Sequence, residues 1–316
     1  MNMGRYVRWL KETNRPLYEV AGTYWRPYHN ALVPASLMPE PMELTGRQAQ
    51  ELLDRSGALF LRYFTKTLKY PTDFWYSVCS EYSFKNLPQK VRTHIRRALK
   101  SCRIERIDPV WLSDNGYPCY TAAYSRYRNA LPESRERFDD MCRGSLGGPF
   151  EFWGAFVGEQ LAGFAKCAVE QDYAACLVLK LDPNFIQMST GSALKDAILN
   201  SYVSEQGKPV YAGFRSVVHD TNTHDFLTKL GYSRVYCDLK VVYRPAIRTI
   251  VNLLHRFPTM VGLIPESNLK NNIRALLIQE QIQRSTELDG KRPYRPSISE
   301  RITRSVWGNR YGVGEK

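Results

Sequence analysis

The 316-residue sequence lacks any uninterrupted apolar run whose length approaches the roughly 18 residues expected of a membrane-spanning helix. Its basic N-terminus leads into no apolar segment, so we expect no signal peptide. Seven scattered cysteines include no Cys-x-x-Cys pair, which argues against a zinc site or a disulfide framework. Repeats of solenoid period and low-complexity tracts are absent too. These absences predict a globular cytoplasmic protein with reduced cysteines and no metal.

Aromatic residues, in contrast, make up 12% of the chain, and the formal net charge is +13. The length allows one large domain or two modest ones, each with a sizeable core. Two regions carry the excess charge: residues 85–106 hold eight basic residues against one acidic, and residues 244–316 hold 13 against six. A basic surface favours anionic partners, such as nucleotides, acidic sugars, tRNA or an anionic membrane face.

The most informative segment is residues 173–232, in which short apolar runs alternate with helical patterns. Its predicted order is strand, loop, helix, strand, helix segment and final strand, over residues 173–182, 183–191, 192–204, 209–214, 225–232 and 234–243.

The start of the helix predicted over residues 192–204 can bind an anion. The first N–H groups of a helix lack intrahelical partners and carry partial positive charge, which a pyrophosphate can satisfy. Gly191 has no Cβ, so phosphates can approach the main chain there. Ser189 or Thr190 fits the N-cap position. An ordinary capped helix after a buried strand has the same pattern, so both interpretations stay open.

This order of elements resembles the GNAT superfamily of acyl-CoA-dependent acyltransferases. The phrase Gly158-Glu-Gln-Leu-Ala-Gly-Phe-Ala165 and the ending Lys229-Leu-Gly-Tyr232 add to the resemblance. It implies an α/β (α+β) fold, with a mixed, mostly antiparallel sheet flanked by helices. It also implies acetyl-CoA or another acyl-CoA as co-substrate. The residues expected to bind it are Leu179, Leu181, Thr190, Gly191, Ser192, Ala193 and Asn222.

Two positions depart from the pattern of that family. Its loop usually reads Gln/Arg-x-x-Gly-x-Gly/Ala, but Met188 stands three residues before Gly191. Many members also place a tyrosine where this chain has Leu227, and that tyrosine can protonate the departing thiolate. A general acid would then come from elsewhere, such as Tyr232 or Tyr236, or be unnecessary because a thiolate is a good leaving group.

The resemblance implies that the acyl thioester lies between two parallel strands that splay apart. Backbone N–H groups around Leu179 and Leu181 would hold the thioester carbonyl. The acceptor must lose a proton, and His219 and Asp220 follow the second strand of the pair. Capping of the next helix is the alternative role for these two residues. Glu170 and Asp172, at the turn into the first strand, are rival bases.

Basic side chains supply candidates for binding the acceptor, namely Arg215 and Arg96. Arg96 belongs to a helix predicted over residues 90–103, on which basic residues share one face. That face can equally be solvated or contact a phosphate backbone. The opposite, apolar face is predicted to contain Val91, Ile95, Leu99 and Cys102.

We divide the chain into an arm with a partial GNAT-like lobe (1–109), a GNAT acyltransferase domain (110–245) and a basic helical extension (246–316). The first block resembles the first lobe of Fem-type peptidyltransferases and polysaccharide-cluster acyltransferases. The remaining predicted elements are a capped helix, two strands, two helices, a hairpin and two C-terminal helices, at residues 45–55, 58–65, 74–80, 119–128, 133–143, 150–169, 246–257 and 268–284.

These features predict transfer of an acyl group, such as acetyl, from acyl-CoA to an amine or hydroxyl of a sugar or cell-envelope precursor. Direct attack without a covalent intermediate is expected. One alternative is a Fem-like aminoacyltransferase that uses aminoacyl-tRNA. Another is a non-catalytic basic binding protein on a degenerate GNAT fold. The apolar face of helix 246–257 also allows peripheral contact with the inner face of the membrane.

Overall fold

A computed structural model describes residues 3–125, 131–215, 223–265 and 267–289. The strands in these ranges are β1 Tyr18–Val20, β2 Thr23–Tyr28, β3 Ala31–Pro34, β4 Phe60–Tyr63, β5 Thr67–Leu68, β6 Trp75–Cys79, β7 Arg103–Ile107, β8 Phe150–Val157, β9 Gln160–Val169, β10 Ala174–Leu181, β11 Val210–Phe214, β12 Ser233–Cys237 and β13 Lys240–Tyr243. The helices are α1 Arg5–Glu12, α2 Gly46–Ser56, α3 Gln89–Ser101, α4 Pro109–Asn115, α5 Tyr117–Tyr124, α6 Arg135–Arg143, α7 Thr190–Leu199, α8 Thr223–Lys229, α9 Pro245–Arg256, α10 Thr259–Gly262 and α11 Asn268–Asp289.

The larger sheet has eight strands in the order β5-β12-β6-β11-β10-β9-β8-β7. Strands β8, β9 and β10 are antiparallel neighbours, and α7 then crosses over so that β11 pairs parallel with β10. Helix α7 covers one face and α5 the other, which explains why β9 is buried at nearly every position. The predicted fold class, a mixed sheet flanked by helices, is confirmed.

The hairpin of β8 and β9 begins and ends at the residues predicted from the sequence. Its two-residue turn is Gly158-Glu159, and Gly158 has φ of +56°. Glycine adopts this left-handed conformation without a Cβ penalty, so the turn fixes the register of the two strands.

A second sheet has the order β1-β2-β3-β4-β13, and the two sheets exchange strands. The early strand β6 lies between β11 and β12, whereas the late strand β13 pairs with β4. The single strand predicted over residues 234–243 is therefore wrong, because β12 and β13 lie in different sheets. The chain changes sheet at Asp238, whose carboxylate accepts N–H bonds from Thr65 at 2.8 Å and Lys66 at 2.9 Å.

The exchange also places β5, β6 and β7 of the N-terminal block in the larger sheet. The predicted division at residue 109 stays a prediction of the sequence. Residues 1–45, for which the sequence analysis predicted no helix or strand, contain α1 and the antiparallel strands β1, β2 and β3.

Two helices differ from the sequence expectation. Leu99, which was predicted to lie on the apolar face of α3, is 50% exposed. The reason is that α3 contacts α7 through Ala98, which packs against Ala193.

Helix α4 was not predicted, although its start carries two sequence signals. Asp108 accepts N–H bonds from Val110 and Trp111, and Pro109 stands at the first turn.

The C-terminal helices pack on the smaller sheet through Val251 and Ile282. Helix α9 leaves Ile250 and Leu253 about half exposed. None of the helices in the described ranges is both long and apolar enough to cross a membrane. Membrane contact through this segment stays a prediction.

Because the sheets exchange strands, we expect them to unfold together. Leu61 in the smaller sheet and Leu194 on α7 are fully buried, so Leu61→Ala and Leu194→Ala should each lower the free energy of unfolding by about 2–5 kcal/mol. Circular dichroism and tryptophan fluorescence during urea unfolding should report one shared transition for both variants. Two separate transitions, with each variant moving only one of them, would contradict this expectation.

Candidate active site

The two central parallel strands separate soon after they meet. Ala174 and Ala175 of β10 pair with Val210 and Tyr211 of β11, and no further pairing joins these strands in the described ranges. Irregular register occurs on both sides of this point. Against β9, β10 shifts register between Cys176 and Val178, and β11 shifts between Tyr211 and Phe214 against β6. The carboxyl-terminal halves of β10 and β11 are therefore not paired with each other, which leaves a gap between them.

Helix α7 begins beside this gap. A 3₁₀ helix, Pro183–Met188, leads from β10 to Ser189, which has φ of +59° at the N-cap position. The Ser189 carbonyl accepts the N–H groups of Ser192 at 2.9 Å and Ala193 at 3.3 Å. The Ser189 hydroxyl does not cap the helix, since it lies 3.1 Å from Nδ1 of His94 on α3. The predicted N-cap position is thus correct, whereas the predicted capping side chain has another partner.

Gly191 and Thr190 make the first turn of α7 compact. A Cβ on Gly191 would lie only 2.6 Å from Cδ1 of Leu181 on β10. Close packing against Leu181 therefore requires a glycine at this position. Thr190 is fully buried, and its hydroxyl lacks a hydrogen-bond partner within the described part of the chain. Leu179 and Leu181 lie past the bulge of β10 and are partly buried. The structure thus brings together at one end of the gap six of the seven residues predicted to bind the acyl donor, namely Leu179, Leu181, Thr190, Gly191, Ser192 and Ala193.

The basic helix α3 lies directly against α7. Its Ala98 contacts Ala193, and His94 reaches the α7 N-cap, so the positive charge of α3 is next to the helix start. Arg96 is exposed, and its guanidinium lies 5.3 Å from the centre of the Phe84 ring. Sequence reasoning predicted the basic face of α3 but not its position beside the candidate donor site.

Glu170 has a structural role that argues against its use as a base. Its Oε2 accepts the N–H of Arg5 and its Oε1 accepts the N–H of Tyr6, each at 2.7 Å. The buried carboxylate therefore caps the N-terminus of α1, where negative charge is favourable. This contact joins residues 165 positions apart, so no local sequence signal could have predicted it.

Of the other predicted site residues, His219, Asp220 and Asn222 lie outside the described residues. Arg215 follows β11 and forms an ion pair with Asp73 at 3.2 Å. Its guanidinium also lies 4.9 Å from the centre of the Trp75 ring.

His224, which the sequence analysis did not select as a site residue, lies near Arg215. The ring centroid of His224 is 5.5 Å from that of Trp75, and Nδ1 lies 2.9 Å from the Ser77 hydroxyl. Burial lowers the pKa of His224, and the charges of Arg234 and Arg215 act in the same direction. Its imidazole is consequently neutral at physiological pH, the form that can accept a proton.

Lys195 was missed by the sequence analysis because an isolated lysine on a helix usually faces solvent. It is buried on α7, close to Cys176 of β10, with Nζ 5.6 Å from the centre of the Tyr232 ring. Hydrogen bonding with Cys167 lowers the pKa of Cys176, and Lys195 acts in the same direction. Burial raises the pKa of Tyr232, whose hydroxyl lacks a hydrogen-bond partner in the described ranges. Lys195 thus links α7 to β10 where the gap begins.

The sequence matches no family model. No curated protein matches it either. Solved structures that are similar to this chain include the C-terminal domain of a protein named as a lysylphosphatidylglycerol synthetase from Agrobacterium fabrum (TM-score 0.49, 7% identity, 79% of this chain and 90% of that chain). FemX gives a TM-score of 0.48 at 9% identity, over 79% of this chain and 93% of its own. A tandem GNAT protein from the clavulanic acid biosynthesis pathway gives 0.44 at 12% identity, over 71% and 81%.

If Glu170 serves to cap α1, Glu170→Gln should reduce stability, because the amide removes the charge and one acceptor. We expect the free energy of unfolding to fall by about 0.5–2 kcal/mol in urea titrations. Glu51→Gln is the matched control: Glu51 forms an exposed helix pair with Arg55, so its replacement should cost less than about 0.5 kcal/mol. Equal stability of the Glu170→Gln variant and the wild type would contradict the capping role.

Proposed function

We propose that the chain is a GNAT-fold acyltransferase. It binds an anionic acyl donor at the start of α7 and transfers the acyl group to an amine or hydroxyl in the gap between β10 and β11. The observation that supports this most strongly is the separation of these strands after only two residue pairs, beside a helix N-terminus. A fully paired sheet would leave no space for a thioester.

The donor we favour is an acyl-CoA. The N–H groups of Thr190 and Gly191 precede the first backbone bonds of α7, and both residues are buried, so a pyrophosphate would reach these donors only by displacing neighbouring side chains such as Leu181. The buried Thr190 hydroxyl is a further unpaired group at this end. Backbone groups of β10 near Leu179 and Leu181 face the side of the sheet that lacks a paired strand, and they would hold the thioester carbonyl.

In the proposed reaction the acceptor nitrogen or oxygen attacks the thioester carbonyl carbon directly. A C–N or C–O bond forms, the C–S bond breaks, and the acceptor loses one proton while the thiolate can take one up. His219 and Asp220 remain our candidates for the base. His224 is a further candidate, since its neutral imidazole lies close to the carboxyl end of β11.

The second candidate function is aminoacyl transfer from charged tRNA, as in Fem-type proteins. The observation that favours it is the position of α3, whose exposed Arg96, Arg97 and Lys100 extend the positive surface beyond the α7 start. A nucleic-acid backbone could follow this surface, whereas a single coenzyme would use only part of it. Sugars and cell-envelope precursors are the acceptors that we favour for either donor.

Thermal stability measured with each ligand distinguishes an acyl-CoA donor from an aminoacyl-tRNA donor. Acetyl-CoA at 100 times its dissociation constant should raise the free energy of unfolding by about 2.7 kcal/mol, measured as a higher Tm. Uncharged tRNA should give no stabilisation at physiological salt. Stabilisation by tRNA with a steep salt dependence, and none by acetyl-CoA, would instead support the second candidate. A response to neither ligand would favour a non-catalytic binding protein.

Gly191→Val tests whether the α7 start is the donor site. Its branched side chain would displace Leu181 and crowd the first turn, so the Tm shift produced by acetyl-CoA should be lost. Gly46→Ala is the control, because Gly46 begins α2 and has open space around its Cβ position. The Tm of each variant without ligand gives its intrinsic stability. A full acetyl-CoA shift in a folded Gly191→Val protein would exclude donor binding at this helix end.

A further inference from the structure

A second concave site lies on the face of the larger sheet opposite α7. It is a cavity of about 390 Å³ between α1, β2, α6 and the hairpin β8–β9. Its floor includes Lys166 of β9, and the adjacent Cys167 packs with Leu194 of α7. Because successive strand residues point to opposite faces, Lys166 and the cavity lie on the other face from the candidate donor site.

The cavity lining carries an excess of positive charge. Its basic residues are Arg15, Arg26, Arg137 and Lys166, whereas Asp140 is the one acidic residue that lines it within the described ranges. Asp140 is already paired with Arg15 at 3.2 Å. Arg137 is exposed and lies 3.6 Å from Glu133, outside the lining. With Arg15 and Arg137 each paired with a carboxylate, Lys166 and Arg26 are the cations of the lining that an anion would complete.

Two of these cations lack an acidic partner inside the described part of the chain. Lys166 Nζ donates to Ser145 Oγ at 2.6 Å and to the Met141 carbonyl at 3.1 Å, both uncharged acceptors. Burial lowers the pKa of Lys166 to about 8, and the positive charge of Arg15 acts in the same direction. The Nε of Arg26 is buried and has no hydrogen-bond acceptor among the described residues.

Aromatic rings form the walls beside these cations. Lys166 Nζ lies 4.1 Å from the centre of the Phe150 ring, and the Arg26 guanidinium lies 5.9 Å from that of Tyr6. The Trp9 ring is 4.8 Å from Phe150 in an edge arrangement. Flat apolar rings next to fixed cations suit a ligand with a charged group on a less polar body, such as a sugar.

The cavity also extends to the point where the reaction is proposed to occur. Leu177, the residue between the two sides of the β10 register shift, is 40% exposed and lines the cavity. The bulge of β10 therefore borders both the cavity, on one face of the sheet, and the gap between β10 and β11.

We propose that this cavity binds the phosphate group of a phosphorylated acceptor, with Lys166 and Arg26 as its ligands. Two cations without acidic partners match a dianionic phosphate monoester better than a single carboxylate. The body of the acceptor lies along the aromatic wall and directs its nucleophile toward the bulge of β10. The acceptor role rests on the proposed acyltransferase function, but phosphate binding does not.

Isothermal titration calorimetry with the full chain and no donor tests the binding step. Glucose 1-phosphate is the probe and glucose the uncharged control; the first should bind and the second should not. Lys166→Met and Arg26→Met keep side-chain volume and should each weaken binding about tenfold or more. Arg47→Gln removes one exposed charge from α2, outside the cavity, and should leave binding unchanged. Equal affinities in all four proteins would overturn the proposal.

Leu177→Trp provides a variant that keeps every cation. The larger side chain fills the mouth of the cavity from an exposed position, so binding should be lost while the Tm stays near that of the wild type. Retained binding in this variant would place the anion elsewhere and reject the cavity.

The phosphate can belong to a soluble sugar phosphate or to a lipid headgroup. Cosedimentation with phosphatidylcholine vesicles, with and without phosphatidic acid, whose headgroup is a phosphate monoester, distinguishes these sources. Cosedimentation that needs phosphatidic acid, Arg26 and Lys166 identifies a lipid source for the same site. Phosphate-ester binding by calorimetry without such cosedimentation identifies a soluble source. If neither glucose 1-phosphate nor the anionic vesicles bind through these two residues, the proposal is wrong. Because no donor is present, this result is independent of the acetyl-CoA experiments.

Discussion

The short parallel contact between β10 and β11 is the constraint on which the rest of the candidate site depends. Two residue pairs hold the strands together, after which register shifts on their outer sides turn them apart. Lys195 and Leu194 anchor α7 to the core where the strands still meet, so the helix start lies at the open end. The same geometry therefore supplies both a space between strands and a set of unpaired amides beside it.

The exchange of strands between the two sheets supports this open region. An open gap in a sheet loses backbone hydrogen bonds, and neighbouring contacts must compensate for that loss. Strand β6 compensates by pairing with both β11 and β12, while β13 leaves to pair with β4. The N-terminal block is thus part of the framework of the gap, and α1 and β2 also line the cavity on the opposite face.

Sequence reasoning succeeded where the determining interactions are local. The β8–β9 hairpin follows from the Gly158-Glu159 turn between two apolar runs, and β10 ends within one residue of the predicted position, before Pro183. Helix α7 begins two residues before the start predicted at residue 192. It failed where distant contacts decide. The pairing of β6 with β11 joins residues more than 130 positions apart, and no periodicity encodes it. Glu170 looked like a free carboxylate because its partners lie at the other end of the chain. The exposure of Leu99 likewise depends on a packing partner in α7.

The distribution of positive charge gives a physical reason for the proposed arrangement of substrates. On one face of the larger sheet, α3 and the α7 start would attract the phosphates of the donor. On the other face, Lys166 and Arg26 would attract the phosphate of the acceptor. Two anionic groups on one face would repel each other, whereas the intervening sheet keeps them apart. Only the thioester carbonyl and the nucleophile, both uncharged before reaction, then need to meet at the bulge of β10.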